Sequence, residues 1–111
     1  MKLNHVNLTV SDVPAAAQFL EKYFDLRNQG GNKGFNLLFD DDGLVLTLMK
    51  AGEVNYPKTF HIGFRQESDE HVNEIYRRLI ADGFEADPPQ RSHAWTFYVR
   101  APGGFVVEVM S

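Results

Sequence analysis

An internal repeat is the feature of this sequence that most restricts its fold. Residues 3–10 and 59–65 both alternate between apolar and polar side chains, which is typical of half-buried β-strands. The two segments match at a separation of 56 residues, so that His5 corresponds to His61. The repeat predicts two copies of one structural unit.

An amphipathic helix is predicted after each of these strands. Ser11-Asp12 and Ser68-Asp69 supply suitable N-caps for the two helices. Apolar side chains then recur at helical spacing. They are Ala16, Phe19, Leu20, Tyr23 and Phe24 in the first helix, and Val72, Ile75, Tyr76, Leu79 and Ile80 in the second.

The rest of each half predicts further strands. Hairpins are expected over residues 35–50 and 94–110, with short extra strands near 26–28 and 84–87. The fold class is therefore α+β: two βαβββ modules, residues 1–52 and 58–111 of a single domain, form curved mixed or antiparallel sheets as half-barrels with the helices on the outer face. The alternative is an ordinary α+β sandwich with coincidental periodicity.

Composition narrows the classes of function. The chain has 111 residues, with 11 basic and 15 acidic side chains scattered along it, and this balance argues against nucleic acid as a partner. The absence of Cys excludes disulfides and thiolate metal sites and fits a cytoplasmic location. No apolar stretch approaches the roughly 20 residues of a membrane helix, so we expect no membrane association.

Three potential metal ligands occupy related positions in the repeat. His5 and His61 lie on the polar faces of the first strand of each half. Glu108 lies opposite to the apolar face of the last strand, and its counterpart in the first half is Thr47. Two imidazoles and a carboxylate suit Fe, Mn, Ni, Zn or Co and leave coordination positions open for substrate. Alternatively, each His is a polar residue on a half-exposed strand.

These residues and their surroundings resemble the vicinal oxygen chelate superfamily, which includes glyoxalase I, extradiol dioxygenases, fosfomycin-modifying enzymes and bleomycin-binding proteins. The resemblance covers nearly the whole chain through LNHVNLTVSDV, FHIGF and FYVRAPGGFVVEV. It implies paired βαβββ modules with the metal ligands at His5, His61 and Glu108. It also implies a small divalent-metal enzyme that chelates neighbouring oxygens of its substrate.

Thr47 departs from glyoxalase I, in which the equivalent residue is a fourth ligand and takes part in proton transfer. This difference disfavours glyoxalase I chemistry and makes the site more similar to that of fosfomycin-modifying transferases or extradiol dioxygenases. The alternative function is a metal-free binding protein of the bleomycin-resistance type.

Pairing across the two hairpins predicts the wall of the pocket. Tyr98 should lie opposite Glu108, with Thr96 on the same face, and Leu37 should lie opposite Thr47. We expect Tyr98 to orient the substrate or donate a proton. The other predicted substrate contacts are Asn7, Phe35, Phe39 and Arg65, whereas His71 and His93 are expected on the surface.

The predicted ligand is a partly hydrophobic small molecule. We expect a homodimer, because small modules leave edge strands that a twofold partner can cover. Whether one chain or two complete each site is left open by the sequence.

Overall fold

The computed structural model describes residues 1–111 and contains eight strands and two helices. In chain order these are β1 (His5–Val10), α1 (Val13–Phe24), β2 (Arg27–Gly31), β3 (Phe35–Phe39), β4 (Val45–Lys50), β5 (Ile62–Arg65), α2 (Asp69–Ala81), β6 (Gln90–Arg91), β7 (Trp95–Arg100) and β8 (Val106–Met110). The chain divides into two units, one of residues 1–56 with 102–104 and the other of 57–101 with 105–111. Neither helix has the length and apolar character needed to cross a bilayer.

Each unit contains one four-stranded sheet with the same topology. The strand orders are β1-β4-β3-β2 and β5-β8-β7-β6. The first and last strands of each unit pair in parallel and the other neighbours are antiparallel. The sheets are therefore mixed, and the predicted βαβββ modules are confirmed.

The registers confirm the repeat at the level of single residues. Asn7 pairs with Thr47 in the first sheet, and Gly63 pairs with Glu108 in the second. These pairs are related by the separations of 56 and 61 residues seen in the sequence. The five-residue difference arises between α2 and β7, because the helix N-caps Asp12 and Ser68 still match at 56.

The helices begin where the sequence predicts and bury most of the predicted stripes. Asp12 accepts a hydrogen bond from the backbone N–H of Ala15, and Ser68 accepts one from that of His71. In α1 the buried side chains are Val13, Ala16, Ala17, Phe19, Leu20 and Tyr23, and in α2 they are Val72, Ile75 and Leu79. Ile80 was expected in the α2 stripe but is 41% exposed.

Helix α2 covers one face of the second sheet. The Trp95 indole N–H donates to Asn73 Oδ1 at 2.8 Å, and the rings of Phe97 and Tyr76 lie 5.4 Å apart. Because side chains alternate along β7, Thr96 and Tyr98 point to the opposite face. This alternation separates the apolar core of the unit from a polar face.

Three segments differ from the expectations drawn from the sequence. The strand predicted over residues 59–65 begins only at Ile62, because a turn in which Phe60 N–H donates to Pro57 O precedes it. Residues 84–87 form no strand, and pairing with β7 begins only at Gln90, beyond two prolines that lack N–H donors. Strand β2 continues into the predicted glycine-containing link, with an irregular register before Gly31.

Gly31 is predicted to be essential for this irregular pairing. A Cβ atom at Gly31 would lie 2.2 Å from the carbonyl oxygen of Phe35, within the backbone of the neighbouring strand. Gly31→Ala should therefore lower the free energy of unfolding by about 1–3 kcal/mol in urea denaturation. Gly52→Ala is the control, because its Cβ meets nothing within 4 Å. Equal stability of the two variants would contradict the close approach.

Candidate functional site

The candidate site is built around Glu108 on the polar face of the second sheet. Glu108 lies directly opposite Tyr98, as predicted. Its neighbours Val107 and Val109 are fully buried on the side of the core. Glu108 itself is only 5% exposed, although it is acidic and lies on the polar face. A buried carboxylate requires hydrogen-bond donors or a cation.

Both oxygens of Glu108 have polar neighbours. Oε2 accepts hydrogen bonds from Thr96 Oγ1 at 2.6 Å and from His93 Nε2 at 2.6 Å. Oε1 lies 3.3 Å from His61 Nε2. The Tyr98 side chain also hydrogen-bonds the carboxylate. One oxygen is thus held by two donors while the other faces an imidazole.

The hydrogen bonds keep this buried carboxyl group ionised. Burial alone would raise the pKa of Glu108, but hydrogen bonds from Thr96, His93 and Tyr98 and the charge of His93 together lower it below its ordinary value. The pKa of Tyr98 is raised, first by burial and then by the negative charge of Glu108 and the hydrogen bond to it. Tyr98 therefore keeps its phenolic proton at neutral pH.

His61 is oriented by its own backbone. Its Nδ1 lies 2.9 Å from the carbonyl oxygen of Thr59, which can only accept, so Nδ1 carries a proton. The Tyr98 ring meets the imidazole edge-on, with a centroid distance of 5.4 Å. In neutral His61 the lone pair of Nε2 faces the carboxylate. This is the tautomer and the second-shell contact typical of a metal-binding histidine.

The distance between His61 and Glu108 fits a shared divalent ion. Nitrogen and oxygen ligands each about 2.0–2.2 Å from one ion, at angles of about 90–109°, lie roughly 2.8–3.6 Å apart. The observed separation of 3.3 Å lies in this range. Gly63 pairs with Glu108 and has no side chain to cover the carboxylate from β5. These two residues of the predicted ligand set are brought together by the fold of the second unit.

No three His, Cys, Asp or Glu side chains are placed so that they could together hold a metal ion. His5 lies at the start of β1 in the first unit, where its Nδ1 contacts Asn4 Oδ1 at 3.1 Å. Its assignment as third ligand stays a prediction.

His93 is the residue of this site that the sequence analysis missed. It was expected on the surface, and its side chain is 52% exposed, yet Nε2 reaches the buried carboxylate. A tight turn before β7, in which Ser92 N–H donates to Ala94 O, places His93 next to Thr96 and Glu108. The repeat gives no signal for it, because the segment between α2 and β7 contains the five residues that the first unit lacks.

The other predicted pocket residues lie as follows. In the first unit Leu37 is opposite Thr47, as predicted, and the Thr47 hydroxyl donates to Asn7 Oδ1 at 2.7 Å. Phe35 and Phe39 are the ends of the same strand. In the second unit Arg65 is exposed at the end of β5, where it pairs with Met110. Their contact with a substrate stays a prediction.

The fold and the polar face define a class of small α+β proteins with paired βαβββ modules. The chain belongs to the Glyoxalase/Bleomycin resistance protein/Dioxygenase superfamily, whose family model matches residues 2–109. A solved structure described as a possible glyoxalase from Bacillus cereus is 56% identical, with a TM-score of 0.96 and coverage of 100% of this chain and 99% of that one.

Two further similar proteins have more specific descriptions. A probable trivalent organoarsenical cleaving enzyme from Bacillus subtilis (strain 168) is 32% identical over 87 residues, which are 78% of this chain and 60% of that protein. The fosfomycin resistance protein FosX from Listeria monocytogenes, in complex with Mn(II) and 1S,2S-dihydroxypropylphosphonic acid, has a TM-score of 0.83 and 22% identity over 98% of this chain and 90% of that one. The FosX match shows a shared fold.

Thr96→Val should destabilise the protein because it leaves the buried carboxylate without one of its donors. The shape of the side chain is retained, and a hydrogen bond to a charged group contributes about 1.5–3 kcal/mol. Thr47→Val removes an exposed hydroxyl that donates to a neutral amide and should cost less than about 1 kcal/mol. Chemical denaturation of both variants measures the difference, and a cost at Thr96 no larger than at Thr47 would contradict this role.

Glu108→Gln should lower the pKa of Tyr98 in the metal-free protein. The substitution removes the negative charge that disfavours phenolate, so Tyr98 should ionise at lower pH than in the wild type, while the contribution of burial remains. Ultraviolet absorbance during a pH titration measures this ionisation, and Tyr98→Phe identifies the contribution of Tyr98. An unchanged titration in Glu108→Gln would show that the two groups do not interact.

Proposed function

We propose that this chain is a divalent-metal-dependent enzyme that acts on a small, partly hydrophobic molecule with neighbouring oxygen atoms. The observation that carries the proposal is the contact between His61 Nε2 and Glu108 Oε1, with the opposite side of each group already occupied by protein. Family membership and the Mn(II) bound to FosX support a divalent metal in general. A bound ion would supply Lewis-acid stabilisation of negative charge on a substrate oxygen.

The residues of the second unit divide the work at such a site. His61 and Glu108 hold the ion, and His93 and Thr96 fix Oε2 so that Oε1 is the oxygen presented to it. Tyr98 is 43% exposed and keeps its proton, so its hydroxyl can donate a hydrogen bond to a substrate oxygen. His5 is the predicted third ligand from the first unit.

A second candidate function is metal-free binding of a drug-sized ligand, as in the bleomycin-binding proteins. The observation in its favour is that hydrogen bonds from Thr96 and His93 already satisfy one oxygen of Glu108 and stabilise its charge without a metal. Both functions use the same polar face, and metal binding separates them.

A homodimer and a cytoplasmic location stay predictions. Each sheet ends in two edge strands, β1 and β2 in one unit and β5 and β6 in the other. A twofold partner can cover such edges. Light scattering of the purified protein tests the dimer.

Metal analysis after equilibrium dialysis against Mn(II) should show one ion per chain in the wild type. His61→Ala and Glu108→Gln should lower the affinity by more than the roughly 10–100-fold typical of losing an outer-shell partner. His71→Ala is the control, because His71 is exposed on α2. Equal metal contents in all these proteins would favour the metal-free alternative. His5→Ala tests the third ligand separately, since unchanged affinity in that variant would remove His5 from the set.

A further inference from the structure

A cavity adjoins the donors of Glu108 on the polar face of the second unit. Its volume is about 400 Å³, in the lower part of the range for small-molecule pockets. The residues that line it include Asp87, Gln90, Ser92, His93, Thr96 and Tyr98. Three of these, His93, Thr96 and Tyr98, also hydrogen-bond Glu108. A molecule in the cavity therefore touches the side chains that hold the carboxylate.

The charges around the cavity are of one sign. Asp87 is exposed and has no hydrogen bond or ion pair, and the lowered pKa of Glu108 keeps a second carboxylate ionised beside it. No Lys or Arg lines the cavity. An anionic group placed there would meet two negative charges and no compensating cation.

The cation closest in sequence is turned to the other face of the sheet. Arg91 lies between two lining residues, Gln90 and Ser92, but its guanidinium contacts Asp69 at 2.5 Å and stacks over Trp95 at 5.3 Å. Alternation along β6 thus places the basic side chain towards α2 and the neutral polar ones towards the cavity. Arg65 shares the polar face but belongs to β5, at the opposite edge of the sheet from β6, and does not line the cavity.

We propose that this cavity is the specificity subsite of the candidate site and takes a neutral or cationic hydrogen-bonding group, a hydroxyl or an amine, carried on an apolar ring or chain. Gln90 and Ser92 supply donors and acceptors for such a group, Asp87 supplies the charge for an amine, and Pro88 and the Tyr98 ring supply apolar surface. Phosphonate and carboxylate groups are excluded. The inference rests on the proposed function only in assigning this cavity to the substrate of the same site.

Three matched probes test the charge preference: benzylamine, benzyl alcohol and benzoate carry a cationic, a neutral and an anionic group on the same ring. Titration of the wild-type protein, followed by amide chemical shifts in NMR, should perturb residues 87–98 and give the affinity order amine, alcohol, benzoate. Asp87→Asn should weaken benzylamine about fivefold, the effect of one unit charge at about 4 Å in water, and leave benzyl alcohol unchanged. Asp87→Lys should bring benzoate to the front of the order.

The proposal is overturned if benzoate binds the wild type as tightly as benzylamine, if the shifts lie outside residues 87–98, or if Asp87→Asn weakens all three probes equally. Mn(II) binding by the same proteins keeps this test apart from the proposed function. Asp87 is not a predicted ligand, so Asp87→Asn should bind Mn(II) as the wild type does. A wild type that binds no Mn(II) but keeps the probe order would refute the metalloenzyme while the subsite stands.

Discussion

The second unit depends on keeping one carboxylate charged where almost no water reaches it. Glu108 is 5% exposed, and an uncompensated charge at that depth would be strongly destabilising. The structure compensates it with donors from β7 and from the turn before it, together with an imidazole placed just before β5. The strand order follows the same requirement, because β8 lies between β5 and β7 and receives side chains from both neighbours.

The same arrangement gives the two carboxylate oxygens different environments. Thr96 and His93 occupy Oε2, whereas Oε1 faces only His61. Because the Thr59 carbonyl fixes the proton of His61 on Nδ1, the pair presents one nitrogen and one oxygen lone pair to a common point. This asymmetry turns a structural ion pair into a candidate ligand pair, and the cavity beside His93 extends it towards a small molecule.

Local patterns in the sequence predicted the elements and much of the geometry. Apolar periodicity gave both helices, and the glycine-containing turns gave the hairpin registers that place Tyr98 opposite Glu108 and Leu37 opposite Thr47. The repeat could not predict what only one unit has. His93 lies in the five residues without a counterpart, and its contact depends on a turn geometry that no periodicity records. For β5, a single turn at Pro57 overrode a clear alternation of side chains.

The interior position of the final strand in each unit has a consequence for the order of assembly. In the nascent chain β1 has no neighbour within its sheet until β4 leaves the ribosome, and β5 waits in the same way for β8. Such non-local pairing is slow, because a long loop must close before any contact forms. In the second unit the imidazole of His61 and the carboxylate of Glu108 therefore meet only when the last strand docks. Loss of that strand would divide the sheet at its centre rather than shorten its edge.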